Sequence, residues 1–170
     1  RYSFNPIDAV LAVLVPVAVF GLYAEFYDYV PPRDAIRAAL AGDASFIQTR
    51  VDEDFDFLAV DERARTLLHA AAESGNADIV EHVLRNGGAV SLRAFDHYGY
   101  TPVHYSLGIH TPYGQIVRPT IRTFLEFGCN PDRKTRDGVP LLVSAIKSRR
   151  EGVAIALLEA DADTNVGVVA

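Results

Sequence analysis

From Ile7 to Tyr23 every residue but Asp8 is apolar or glycine, and no polar stripe breaks the run. Asn5-Pro6 is a helix opening, because Asn caps and Pro is tolerated in the first turn. Pro31-Pro32 is an equally clear stop. The pattern predicts a helix over residues 6–29, roughly 36 Å long at 1.5 Å per residue. That length crosses a hydrocarbon core of about 30 Å with some tilt. Tyr2 and Phe4 flank one end, and Tyr23, Phe26, Tyr27 and Tyr29 the other, as in an interfacial aromatic belt. A cleavable signal peptide fits less well, since Leu22-Tyr23-Ala24 is a poor cleavage site. A core helix of a soluble domain would carry a polar face. Residues 1–32 are therefore expected to be a single transmembrane anchor and linker, with Pro16 accommodated inside it. Arg1 before the run suggests an inside N-terminus, which puts the rest of the chain on the extracytoplasmic side, periplasmic if the source is bacterial.

After Pro32 the pattern changes to short apolar pairs at helical spacing, separated by turn residues. The pairs recur. Gly42 and Gly75 lie 33 apart, as do Val51 and Leu84, and Leu125 and Leu158. Thr66-Leu67-Leu68-His69-Ala70-Ala71 returns 35 residues later as Thr101-Pro102-Val103-His104-Tyr105-Ser106. A third version reads Val139-Pro140-Leu141-Leu142-Val143-Ser144-Ala145, with Leu142 in the place of the His. Thr caps, Pro sets the first turn, and Gly after the second helix is free to take positive φ.

These blocks resemble the ankyrin family, whose 33-residue repeat carries a Thr-Pro-Leu-His-x-Ala signature. Later blocks agree: Ile79-Val80 with Val83-Leu84 and Gly87-Gly88-Ala89, Phe124-Leu125 with Gly128 to Asp132, and Leu157-Leu158 with Asp161 to Asn165. The resemblance implies an all-α solenoid of helix-turn-helix repeats with hairpin fingers over residues 33–170. Four repeats are expected, at about 33–65, 66–98, 99–136 and 137–165. No one repeat buries its own apolar face, so the repeats must stack. The first is degenerate, with Arg33 and Ile36 for Thr and His. The third is swollen between its helices, mainly over residues 108–115. The resemblance gives Thr66, His69, Thr101, Pro102 and His104 structural roles, with each His bonding backbone between repeats.

Composition narrows the chemistry. The formal charge of −6 argues against a nucleic-acid partner. The lone cysteine, Cys129, excludes an internal disulfide and a multi-thiolate metal site, and it falls where the family has a small core residue. His69 and His104 lack a third convergent ligand, and His82, His97 and His110 show no ligand spacing with them. The acidic run Asp52, Glu53, Asp54, Asp56 does not match a calcium loop and reads as a solvated finger. There is no phosphate loop, nucleophile elbow or metalloprotease motif. No catalytic residue, metal, cofactor or small-molecule substrate is expected, and the chain is not expected to be an enzyme.

The positive signal is aromatic. Phe95, His97, Tyr98 and Tyr100 crowd the finger before Thr101, Tyr105 is expected on the concave side, and Tyr113 lies in the insertion. Exposed aromatics are common interface anchors, so these six are the expected partner-binding residues. The resulting expectation is a membrane-anchored protein-binding module, an accessory or scaffold subunit of a membrane complex. The alternative is an immunity protein that neutralises a toxic effector at the membrane.

Overall fold

The computed structural model describes residues 30–108 and 120–164. The expected anchor at residues 6–29, His110, Tyr113 and most of the insertion lie outside the described residues. No described helix is long and apolar enough to cross a membrane. The chain divides into two units, residues 1–31 and 32–170, and every element named below belongs to the second.

Among the described residues eight short helices run along it: α1 (Pro32–Ala41), α2 (Ala44–Arg50), α3 (Leu67–Ser74), α4 (Ala77–Arg85), α5 (Pro102–Tyr105), α6 (Ile121–Glu126), α7 (Leu141–Lys147) and α8 (Glu151–Glu159). A 3-10 turn at Gly88–Ser91 follows α4. No strand occurs among the described residues; one isolated bridge joins Lys134 and Pro140. Within repeats, α1 packs on α2, α3 on α4 and α7 on α8. The first helices α1, α3 and α5 pack in series, and so do the second helices α2, α4, α6 and α8. This is the stacked all-α architecture that the recurring apolar pairs predict.

Local chemistry sets the boundaries. The Asp43 carboxylate caps α2 by accepting from Phe46 N at 2.9 Å, and the Asn76 side chain caps α4 by accepting from Asp78 N at 3.0 Å. On α4 the apolar stripe Ile79, Val80, Val83, Leu84 is buried, while Glu81 and Arg85 pair with each other at 2.7 Å on the far side. Leu67, Leu68, Ala70, Ala71 and Ala72 of α3 are all buried, since that helix has a repeat on either side. Cys129 is a core residue, and burial pushes its thiol up to about 11, away from nucleophilic use. In the acidic run, Asp52 and Asp56 accept from the backbone of Asp54 and Leu58, so the carboxylates shape their own loop.

The fourth repeat is registered one residue away from the sequence expectation. Asp61 N donates to Arg65 O, Asp96 N to Tyr100 O and Thr135 N to Val139 O, so the three fingers superpose bond for bond. Pro140, not Val139, therefore stands where Thr66 and Thr101 stand, and α7 begins at Leu141. Val143, not Leu142, takes the His position, and Ser144, not Val143, is the counterpart of Tyr105. Aligning the two prolines, Pro102 and Pro140, was misleading, because Pro140 is extended at φ −63, ψ 149 and precedes its helix.

Candidate protein-interaction surface

Each finger is a tight turn leading into a first helix. The turn is built on a polar side chain at its base. Asp61 Oδ1 accepts from Arg63 N and Arg65 N, both at 2.9 Å. Asp96 Oδ1 accepts from Tyr98 N at 2.9 Å and Tyr100 N at 2.8 Å. Thr135 Oγ1 accepts from Val139 N at 3.1 Å. The third turn residue is left-handed in all three fingers: Gly99 at φ +82, Gly138 at φ +81 and, against the usual preference, Ala64 at φ +58. The fingers are joined in series, with His97 N donating to Arg63 O at 3.0 Å and Arg136 N to Gly99 O at 2.8 Å.

His69 and His104 are fully buried at the bases of these fingers. His69 Nδ1 accepts from Thr66 N at 3.1 Å and lies 2.9 Å from Thr66 Oγ1. Its proton is then on Nε2, which donates to Tyr100 O in the next finger at 3.3 Å. His104 repeats the cap, with Thr101 N at 3.3 Å and Thr101 Oγ1 at 2.8 Å. Its Nε2 has no partner among the described residues. Burial lowers both imidazoles to about 4; the Tyr100 carbonyl opposes the shift at His69, and Arg133 reinforces it at His104. Both are neutral caps. Pro102 follows Thr101 in the first turn of α5.

Of the six expected contact residues, four lie in the finger that leads into α5, the first helix of repeat three, called the third finger below. Tyr98 is 60% exposed at its tip. Phe95 is exposed, with the Arg136 guanidinium 5.4 Å from its ring centre. His97 is exposed and Tyr100 half-buried. Tyr98 and Tyr100 form one wall of a cleft of about 260 Å³ that continues over Thr135, Asp137, Ser144 and Lys147. The cleft thus runs between two fingers and the first helix of repeat four.

Tyr105 is a correction. It is 2% exposed, and its hydroxyl donates to the buried Asp96 Oδ2 at 2.5 Å. Its ring meets His69 edge to face at 5.4 Å. Burial raises the phenol well above its ordinary range, and Asp96 pushes it further. The side chain that replaces Ala70 fills the stack instead of facing a partner.

Sequence reasoning passed over the buried polar groups behind the surface. Arg65 reaches Asp61 Oδ2 at 2.7 Å and Glu73 Oε2 at 2.6 Å. Burial alone would raise the Asp61 carboxyl, but the bonds from Arg65 and Arg63 outweigh it and hold it below the usual range. The signal for Asp61 and Asp96 was present: they lie 35 apart, each five residues before a capping Thr.

Residues 35–110 match the family model for ankyrin repeats in three copies. This stretch is made of ankyrin repeats. The match stops at residue 110, yet the finger leading into α7 repeats the backbone bond of the two before it, and a further helix pair, α7 and α8, follows through Glu159. No curated protein matches the chain. Ankyrin repeats are protein-interaction modules, which gives the finger surface its meaning.

Proposed function

We propose that this ankyrin-repeat module is held at a membrane by residues 6–29 and serves there as an accessory or scaffold subunit of a protein complex. The partner contacts the third finger, with Tyr98 as the main anchor and Phe95, His97 and Tyr100 beside it. The observation that carries this reading is Tyr98, a large aromatic 60% exposed at the rim of a cleft. A solvated tyrosine gains most from burial against a partner, and such residues dominate measured interfaces. The tether rests on the length and flanks of the N-terminal apolar run. Arg1 before that run favours an extracytoplasmic domain.

The test is recovery of the tagged full chain from its native membrane in mild detergent, with identification of what accompanies it. Phe95→Ala with Tyr98→Ala removes the partner, and Glu81→Ala with Arg85→Ala keeps it. If the second pair removes the partner and the first does not, the contact lies on the second helices and the reading fails. A reporter active only outside the cytoplasm, fused after Ala170, tests the orientation.

A further inference from the structure

The first helix of repeat one differs from its counterparts in charge. Arg33, Ile36, Arg37 and Leu40 stand at i, i+3, i+4 and i+7 of α1, so they share one face of that helix. Arg33 and Ile36 take the places of Thr66 and His69, and Arg37 takes that of the buried Ala70. This face lines one side of a cleft of about 410 Å³, and the finger leading into α3 lines the other, together with Glu73. Ile36 is buried and Leu40 half-buried, which gives the cleft an apolar strip.

The acids that line the cleft are all engaged. Asp61 and Glu73 both hold Arg65, at 2.7 and 2.6 Å, and Asp61 also accepts from Arg63 N and Arg65 N. Glu62 accepts from Arg33 at 2.6 Å. Two guanidinium groups are left over. The Arg37 side chain is 79% exposed and meets only Asp34, at 4.0 Å, which is beyond hydrogen-bond range. Arg63 is exposed, and its side chain has no ion pair or hydrogen bond among the described residues. The chain as a whole carries −6, so these arginines are a patch of opposite sign on an acidic molecule. Guanidinium groups select carboxylates, which they bind through two parallel N–H···O bonds. A basic partner would be repelled, and a wholly apolar one would desolvate the arginines without supplying acceptors. Exposed Glu62 and Asp34 beside them repel a continuous anionic surface such as a membrane, whereas a single segment sets its carboxylates between them. We propose that this cleft takes an acidic segment of a protein partner, its carboxylates paired with Arg37 and Arg63 and an aliphatic side chain laid on Ile36 and Leu40. The proposal does not depend on the third finger, because the two clefts share no lining residue.

The test uses the full chain in mild detergent and a short fluorescein-labelled peptide of alternating Glu and Leu, followed by fluorescence anisotropy. Saturable binding is expected, weakened by added salt. The same peptide with Gln for Glu binds at least about tenfold more weakly, the loss expected when charged bonds become neutral ones. Arg37→Glu with Arg63→Glu weakens the acidic peptide by at least as much with unchanged circular dichroism, because both side chains are already solvated. Phe95→Ala with Tyr98→Ala leaves peptide binding unchanged, as does Lys147→Glu in the other cleft, so failure of the third-finger reading is distinguishable from failure here. No saturation by the acidic peptide up to about 1 mM overturns the proposal. Equal binding of the Gln peptide overturns it, as does indifference to the doubly charge-reversed variant. A short-chain phosphatidylglycerol that displaces the peptide and binds more tightly, with loss in the same variant, assigns the arginines to lipid headgroups and overturns it too.

Discussion

Tyr105 and Asp96, nine residues apart, form a hydrogen bond between two buried side chains, with the phenol donating to carboxylate Oδ2 at 2.5 Å. The other oxygen of Asp96 holds the third finger through Tyr98 N and Tyr100 N. The residue expected to touch a partner thus braces, from inside, the finger that carries Tyr98. Tyr105→Phe keeps the ring and removes the bond to a buried carboxylate. Stability should fall by about 1.5–3 kcal/mol, the usual worth of a bond to a charged group. Chemical denaturation measures it, and a partner-binding assay well below the melting temperature should show little direct change.

The two buried histidines make stability depend on pH. Each is lowered to about 4 when folded, against an ordinary 6.5. Their contribution is therefore complete above about pH 6.5 and is lost as pH falls towards 4, because the unfolded chain takes up the protons first. The upper bound is about 3 kcal/mol for each His at 1.36 kcal/mol per unit. Melting temperature should drop steadily from pH 7 to pH 4.5. His69→Gln should remove about half of that slope. A flat profile over this range would mean that the imidazoles are not buried neutral.

The same pair separates by partner. His69 links Thr66 to Tyr100 O, whereas His104 caps Thr101 and has no second bond among the described residues. His69→Ala should cost about 1 kcal/mol more than His104→Ala, the worth of one net hydrogen bond. Equal losses in parallel urea titrations would contradict this assignment.

Ala64 takes φ +58 where the other two fingers have Gly. An alanine in the left-handed region is strained, and its methyl gains nothing from that position. Ala64→Gly should raise stability by about 0.5–1 kcal/mol even after the added freedom of the unfolded chain is counted. Thermal melts of the two proteins decide it.

Much of this architecture was legible from recurrence. Thr66 and Thr101 cap α3 and α5 as read, His69 makes the bond between repeats that the resemblance implies, and Ile79, Val80, Val83 and Leu84 of α4 are buried as their periodicity requires. Repeat four was misregistered because a Val-Pro dipeptide imitates Thr-Pro, and only the backbone bonds of the finger reveal the offset. Tyr105 was misplaced for a different reason. Its counterpart Ala70 shows nothing about where a long side chain goes, and the buried acceptor it finds, Asp96, lies on another element. Tyr98 was legible as exposed because it sits at the tip of a tight turn, which stands away from the helices.

The missing second bond of His104 has a mechanical meaning. In a linear stack, cooperativity passes only through nearest-neighbour seams. The His69–Tyr100 link clamps the seam between repeats two and three. At the next seam Val143 occupies the His position of the fourth repeat, and His104 reaches no carbonyl among the described residues. The seam before α7 thus lacks the buried clamp and is held from its rim, where Arg136 N donates to Gly99 O and the Arg136 guanidinium donates to Asp96 O at 3.3 Å. Under load or heat, α7 and α8 should peel away first as a unit, while α1 to α4 hold. Their amides should exchange earliest, and a protease should nick the boundary around Asn130–Asp137 before it reaches the rest.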